Sequence, residues 1–134
     1  MVNEREILKD ILVKEGDTIS NLATIVKKAK EIFVVEDKTG KVIFRNYSKL
    51  KNHQKIYALL VGKYFSRRLD IVKDHAMNIS EISTELSIPT TTLSSPLKSL
   101  KDEGVILKDK ERYRVNPHRI EETMNNFFKL EKKD

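Results

Sequence analysis

Apolar residues recur at helical spacing along most of the chain, broken in a few places by short runs with strand character. Residues 4–14 place Ile7, Leu8, Ile11 and Leu12 on one helical face, and Gly16 stops that helix. Asp17 or Thr18 caps a second helix carrying Ile19, Leu22, Ile25, Val26 and Ala29. Two β-rich runs follow, from Ile32 to Glu36 and from Lys41 to Arg45, and the Asp37–Gly40 stretch between them is a strong hairpin signal. Tyr47–Asn52 is polar and reads as a linker. From about Asn52 to Leu69 a long helix is expected, with Ile56, Leu59, Leu60 and Phe65 as its main apolar set. Tyr57, Val61 and Tyr64 widen that arc, so the helix should be contacted on two sides.

The pattern then becomes denser. Ser80 is the expected cap of a helix holding Ile82 and Leu86, which Ile88-Pro89 ends. Thr90 opens the next helix, with Leu93, Leu97 and Leu100 as core positions and Gly104 as its stop. Pro96 falls inside it and lacks the amide that should bond back to residue 92, so a kink or a late start is expected. Val105–Leu107 and Tyr113–Val115 read as a second hairpin, with its turn at Asp109–Glu111. Asn116-Pro117 launches a last helix, with Ile120, Met124, Phe127 and Phe128 on one stripe. The expected fold is therefore mainly α with small β-hairpins. It divides into a helix-helix-hairpin module over residues 1–46 and a second unit over residues 47–134.

Short helix, tight turn, amphipathic helix, glycine stop and hairpin form the grammar of a winged helix-turn-helix. In that arrangement the second helix of the pair enters the major groove with its N-terminal residues nearest the bases. Its outward polar residues here are Thr90, Thr91, Thr92, Ser94, Ser95 and Lys98, and Lys101, a turn on, is expected to contact a phosphate. Hydroxyls bond phosphate oxygens or base edges, and a threonine methyl can touch the thymine methyl. The hairpin adds Lys108, Lys110, Arg112 and Arg114, the last two on one strand face. The helix has no Arg, Asn or Gln, the side chains that make the best bidentate base contacts, so the expectation is either weak sequence-specific reading or reading through shape and the wing.

Charge changes the picture only by placing it. The net charge is +6, and residues 47–120 hold 14 Lys/Arg against 8 Asp/Glu, whereas residues 1–46 hold 9 against 8. The basic excess coincides with the helix-turn-helix and suits a polyanion. The chain has no cysteine, so neither a disulfide framework nor a thiolate metal site can form. No apolar run is long enough to span a bilayer, and the charged N-terminus has no signal-peptide core. A soluble cytoplasmic protein is expected.

Residues from about 55 to 116 resemble the winged helix-turn-helix superfamily in the style of the MarR- and ArsR-type regulators of bacteria and archaea. The resemblance is carried by Ser80-Glu-Ile-Ser-Thr-Glu-Leu-Ser-Ile-Pro, Thr91-Thr-Leu-Ser and Leu97-Lys-Ser-Leu-Lys-Asp-Glu-Gly-Val-Ile. It implies transcriptional regulation as a dimer on palindromic double-stranded DNA. Residues 1–46 match no such pattern. Two uses remain open for the final helix: covering its own core, or pairing with a second copy, and a homodimer through it is the expected one. A protein-docking role within a transcription or replication assembly is the alternative function. RNA binding is disfavoured because no exposed aromatic cluster suits base stacking. His53, His75 and His118 lack ligand-like spacing, Ser94-Ser95 has no evident base, and no phosphate-cradling glycine loop exists. No enzyme activity, metal or cofactor is expected.

Overall fold

The computed structural model describes residues 22–128 and, in isolation, Glu4. The helix expected over residues 4–14 and the start of the second one lie outside the described residues. What is described is a mixed α/β structure with five α-helices and two small antiparallel sheets. In chain order these are α1 (Leu22–Ala29), β1 (Phe33–Val35), β2 (Val42–Phe44), α2 (Asn52–Arg68), β3 (Met77–Asn78), α3 (Ile79–Leu86), α4 (Thr90–Asp102), β4 (Ile106–Asp109), β5 (Arg112–Val115) and α5 (Ile120–Phe127).

The long helix α2 is the axis of the molecule. Residues 56–62 are all buried, as are Tyr64 and Ser66, so it is covered all round rather than along one stripe. On one side lies the hairpin β1–β2, registered Phe33 to Phe44 and Val35 to Val42. Gly62 is what lets it approach: a Cβ there would lie 2.5 Å from Val42 Cγ2 and 3.2 Å from Phe33 Cε1. On the other side pack α3, α4 and β5. One continuous apolar core runs from Ile25 through α2 to Phe128, and α1 also touches α5.

The segment read as a linker is a fastening. Tyr47 opens a 3-10 turn over Tyr47–Lys49, and its hydroxyl donates to the Leu86 carbonyl at the end of α3. Its ring meets Phe44 edge-on and carries the Lys55 ammonium 4.1 Å from its centroid. Gln54 then ties two distant ends together. It accepts from the Lys51 amide at 2.8 Å and donates to the Phe127 carbonyl at 2.7 Å.

Three local expectations are corrected. The cap of α3 is Asn78, not Ser80. Its side chain accepts from the Glu81 amide at 2.8 Å while Glu81 accepts from the Asn78 amide at 2.9 Å, a reciprocal capping box. The helix α4 starts at Thr90 without delay and runs unbroken past Pro96 to Asp102. Burial of Leu93, Leu97 and Leu100, at about 1.5–3 kcal/mol each, outweighs the one backbone hydrogen bond lost. Finally, Met77–Asn78 forms a strand that joins β5, giving a three-stranded sheet ordered β3-β5-β4. Gly104, at φ +77°, ends α4 and turns the chain into β4.

The stripe on α5 is spent within its own chain. Ile120, Met124 and Phe128 are buried, and Phe127 sits edge-on to His53 and Tyr57. Of the two uses expected for this helix, covering its own core is the one seen in the chain. No helix among the described residues is long and apolar enough to cross a membrane.

Candidate nucleic-acid interface

Helices α3 and α4 meet at a corner made by Ser87, which takes a left-handed conformation (φ 56°), followed by Ile88-Pro89. Ser83 Oγ donates to the Ile88 carbonyl at 2.6 Å and locks that corner. The apolar side of α4 faces α2 and α3. Its other side carries the polar residues singled out in the sequence, and Thr90, Thr91, Thr92, Ser94, Ser95, Lys98 and Lys101 are all exposed.

These side chains are not equivalent. The Ser94 hydroxyl donates back to the Thr90 carbonyl at 3.2 Å, so its donor is already engaged. Ser95 lines a shallow groove with Asn52, His53, Pro96, Ser99 and Phe127, and therefore looks toward the start of α2. Lys98 forms an exposed ion pair with Asp102 at 3.0 Å. Residues 90–103 carry Lys98 and Lys101 against Asp102 and Glu103, which makes this helix hydroxyl-rich and charge-balanced. The Lys98–Asp102 pairing was readable from its four-residue spacing. The proximity of Asn52 and His53 to Ser95 was not, because it depends on how α2 crosses α4.

The β4–β5 hairpin carries the positive surplus. Four basic residues stand against Asp109 and Glu111 over residues 106–115. Lys108 is exposed, with its ammonium 5.4 Å from the Tyr113 ring centroid. Lys110 sits exposed at the turn with φ 57°, a left-handed conformation that costs a lysine more than a glycine. Arg114 is half-buried on β5 opposite Leu107.

Arg112 behaves differently. Its guanidinium lies 3.5 Å from Asp74 and 3.2 Å from Glu81, and it donates to the Ala76 carbonyl. It ties the hairpin to the segment ahead of β3 and to the first turn of α3. Arg112 and Arg114, expected together as phosphate grips, share a strand face, but in the fold Arg112 also serves as a brace facing two carboxylates. The partners lie 38 and 31 residues away in sequence, which is why the strand pattern alone did not reveal them.

Groups with shifted acidity lie elsewhere. Burial pushes the Tyr57 and Tyr47 phenols up, and hydrogen bonds from Thr39 hold the Glu36 carboxyl down in the β1–β2 turn. Among the described residues no group of three or more His, Cys, Asp or Glu is placed to hold a metal ion. Comparison of the chain with protein-family models, curated proteins and solved structures finds no match.

Proposed function

We propose that residues 52–119 form a winged helix-turn-helix and that the chain binds double-stranded DNA, acting as a transcriptional regulator. The observation that carries this reading is the order of elements: a helix, a short strand, two helices meeting at a tight corner and a hairpin, with the short strand paired to the hairpin's return strand. That order leaves the outer side of α4 without apolar work. In this reading α4 lies in the major groove with Thr90–Thr92 nearest the base edges, where hydroxyls and methyls make short contacts. Lys98 and Lys101 reach flanking phosphates. Lys108, Lys110 and Arg114 take the backbone from the wing, and Arg112 holds the wing at its angle. Affinity then comes mainly from phosphate contacts and falls as salt rises.

The test is fluorescence-anisotropy titration on random-sequence duplex DNA across a salt series. Submicromolar binding at low salt that weakens steeply with added salt is expected; flat anisotropy at every salt concentration sinks the reading. A second reading, a protein-docking module in a transcription or replication assembly, draws on the charge balance of α4 and the groove beside Ser95. One stoichiometric partner with no DNA affinity is the result that favours it.

A further inference from the structure

The positive charge least opposed by acids lies outside the wing. Residues 38–69 hold nine Lys/Arg and no Asp/Glu, and Arg45, Lys49, Lys51 and Lys55 fall close together among them. The wing, over residues 106–115, sets four cations against two acids. Arg45, Lys49 and Lys51 are exposed and form no ion pair among the described residues. Lys55 is held over the Tyr47 ring. An exposed run of one sign with no internal partner keeps its field for a ligand of the opposite sign.

Two contacts fix where this stretch lies. Tyr47 is tied to the Leu86 carbonyl, at the corner between α3 and α4. Asn52 and His53 line a groove of about 430 Å³ with Ser95 and Ser99 of α4. Between those anchors the chain passes Lys49 and Lys51, so both lie along one flank of α4, from its N-terminal corner toward its middle. Ser95 is itself exposed, so this flank continues the polar side of α4. The acid in the groove, Glu103, sits about two turns beyond Ser95, toward the other end of α4. Lys101, two residues on from Ser99 at about 100° each, projects from roughly the opposite flank. We propose that Lys49 and Lys51 are a second phosphate grip, taking the DNA strand on the α2 flank of α4 while Lys101 faces the other. The proposal rests on α4 entering the major groove, where a backbone strand runs along each side of the helix. The stretch that reads as a linker then has two tasks: it fastens the corner, and it carries charge to the ligand.

The test reads log affinity against log salt on duplex DNA with the full chain. Lys49→Gln/Lys51→Gln should flatten the slope by about 1.8, at about 0.9 per lost phosphate contact, with far-UV circular dichroism retained. Lys38→Gln/Lys41→Gln removes the same charge from the β1–β2 turn and should leave the slope unchanged. Equal flattening in both pairs reduces the effect to net charge and overturns the grip. Position is read separately. The chain has no cysteine, so Lys49→Cys can carry a tethered iron chelate that cuts nearby DNA. Bound duplex should be cut by the Lys49→Cys and Lys108→Cys conjugates, and not by Lys38→Cys. An unchanged slope and no cutting from position 49, in a protein whose wing variant does flatten the slope, overturn this grip and leave the DNA reading standing. No binding by the parent at any salt concentration overturns both.

Discussion

The hairpin β1–β2 lays Phe33 and Val42 on Gly62 of α2, whereas β4–β5 takes a third strand along its edge and turns Arg112 and Arg114 away from the core. Both follow an amphipathic helix with at least one lysine in its last turn, and both have a turn rich in charge. Local chemistry does not separate them. What separates them is the partner surface: the first hairpin packs on a helix groove opened by a glycine, and the second is widened by β3 and braced by Arg112. The first is therefore core. The second is free to meet a ligand with its outer residues.

The comparison breaks most severely at the first hairpin. Phe33→Ala empties a buried ring site and should cost about 3–5 kcal/mol, read as a fall in the urea midpoint. Gly62→Ala is next. The added methyl meets Val42 at 2.5 Å, an overpacking cost of about 1–3 kcal/mol. The gain of about 0.5–1 kcal/mol from replacing a helical glycine is smaller, so the net effect is destabilising. Neither change should alter the slope of affinity against salt while the protein remains folded.

Tyr57, on the helix both hairpins share, sharpens the account through pH. Burial raises its phenol above the ordinary value of 10.0, so its contribution to stability is intact below about pH 10 and is lost as pH climbs from there. The loss approaches about 1.4 kcal/mol per pH unit. Tyr57→Phe should flatten that alkaline limb in denaturation curves recorded at pH 9, 10 and 11; equal limbs in both proteins contradict it. The smallest effect belongs to Arg112→Ala. Its ion pairs are substantially exposed, so the cost is about 1 kcal/mol or less. If it braces the wing, DNA affinity should drop with little change in salt slope, unlike the loss of a phosphate contact.

Much of this was legible in the sequence wherever one element carries its own evidence. The spacing of Leu93, Leu97 and Leu100, the glycine after α4 and the turn before β2 are local signals, and the elements formed where they point. Features set by distant partners were not legible. A two-residue strand has no periodicity, so β3 is visible only through the pairing of Met77 with Tyr113. The cap is the exception: Asn78 three residues ahead of Glu81 is a local capping-box pattern, which the reading at Ser80 passed over. Tyr47 reads as a linker residue until Leu86 arrives to accept its hydroxyl. The outward hydroxyls of α4 could be named in advance, but the neutralisation of Arg112 could not, because Asp74 reaches it only once the chain has folded.

The central claim is that DNA is gripped through the second hairpin and not the first. The direct measurement is the slope of log affinity against log salt on duplex DNA for three folded proteins: the parent, Lys108→Ala/Lys110→Ala/Arg114→Ala, and Lys38→Ala/Lys41→Ala. Each lost phosphate contact should flatten the slope by about 0.9. The account predicts a flattening of roughly 2 to 3 for the wing variant at that increment per contact, and none for the first-hairpin variant. Equal slopes in the parent and the wing variant, or flattening confined to the first-hairpin variant, contradict it.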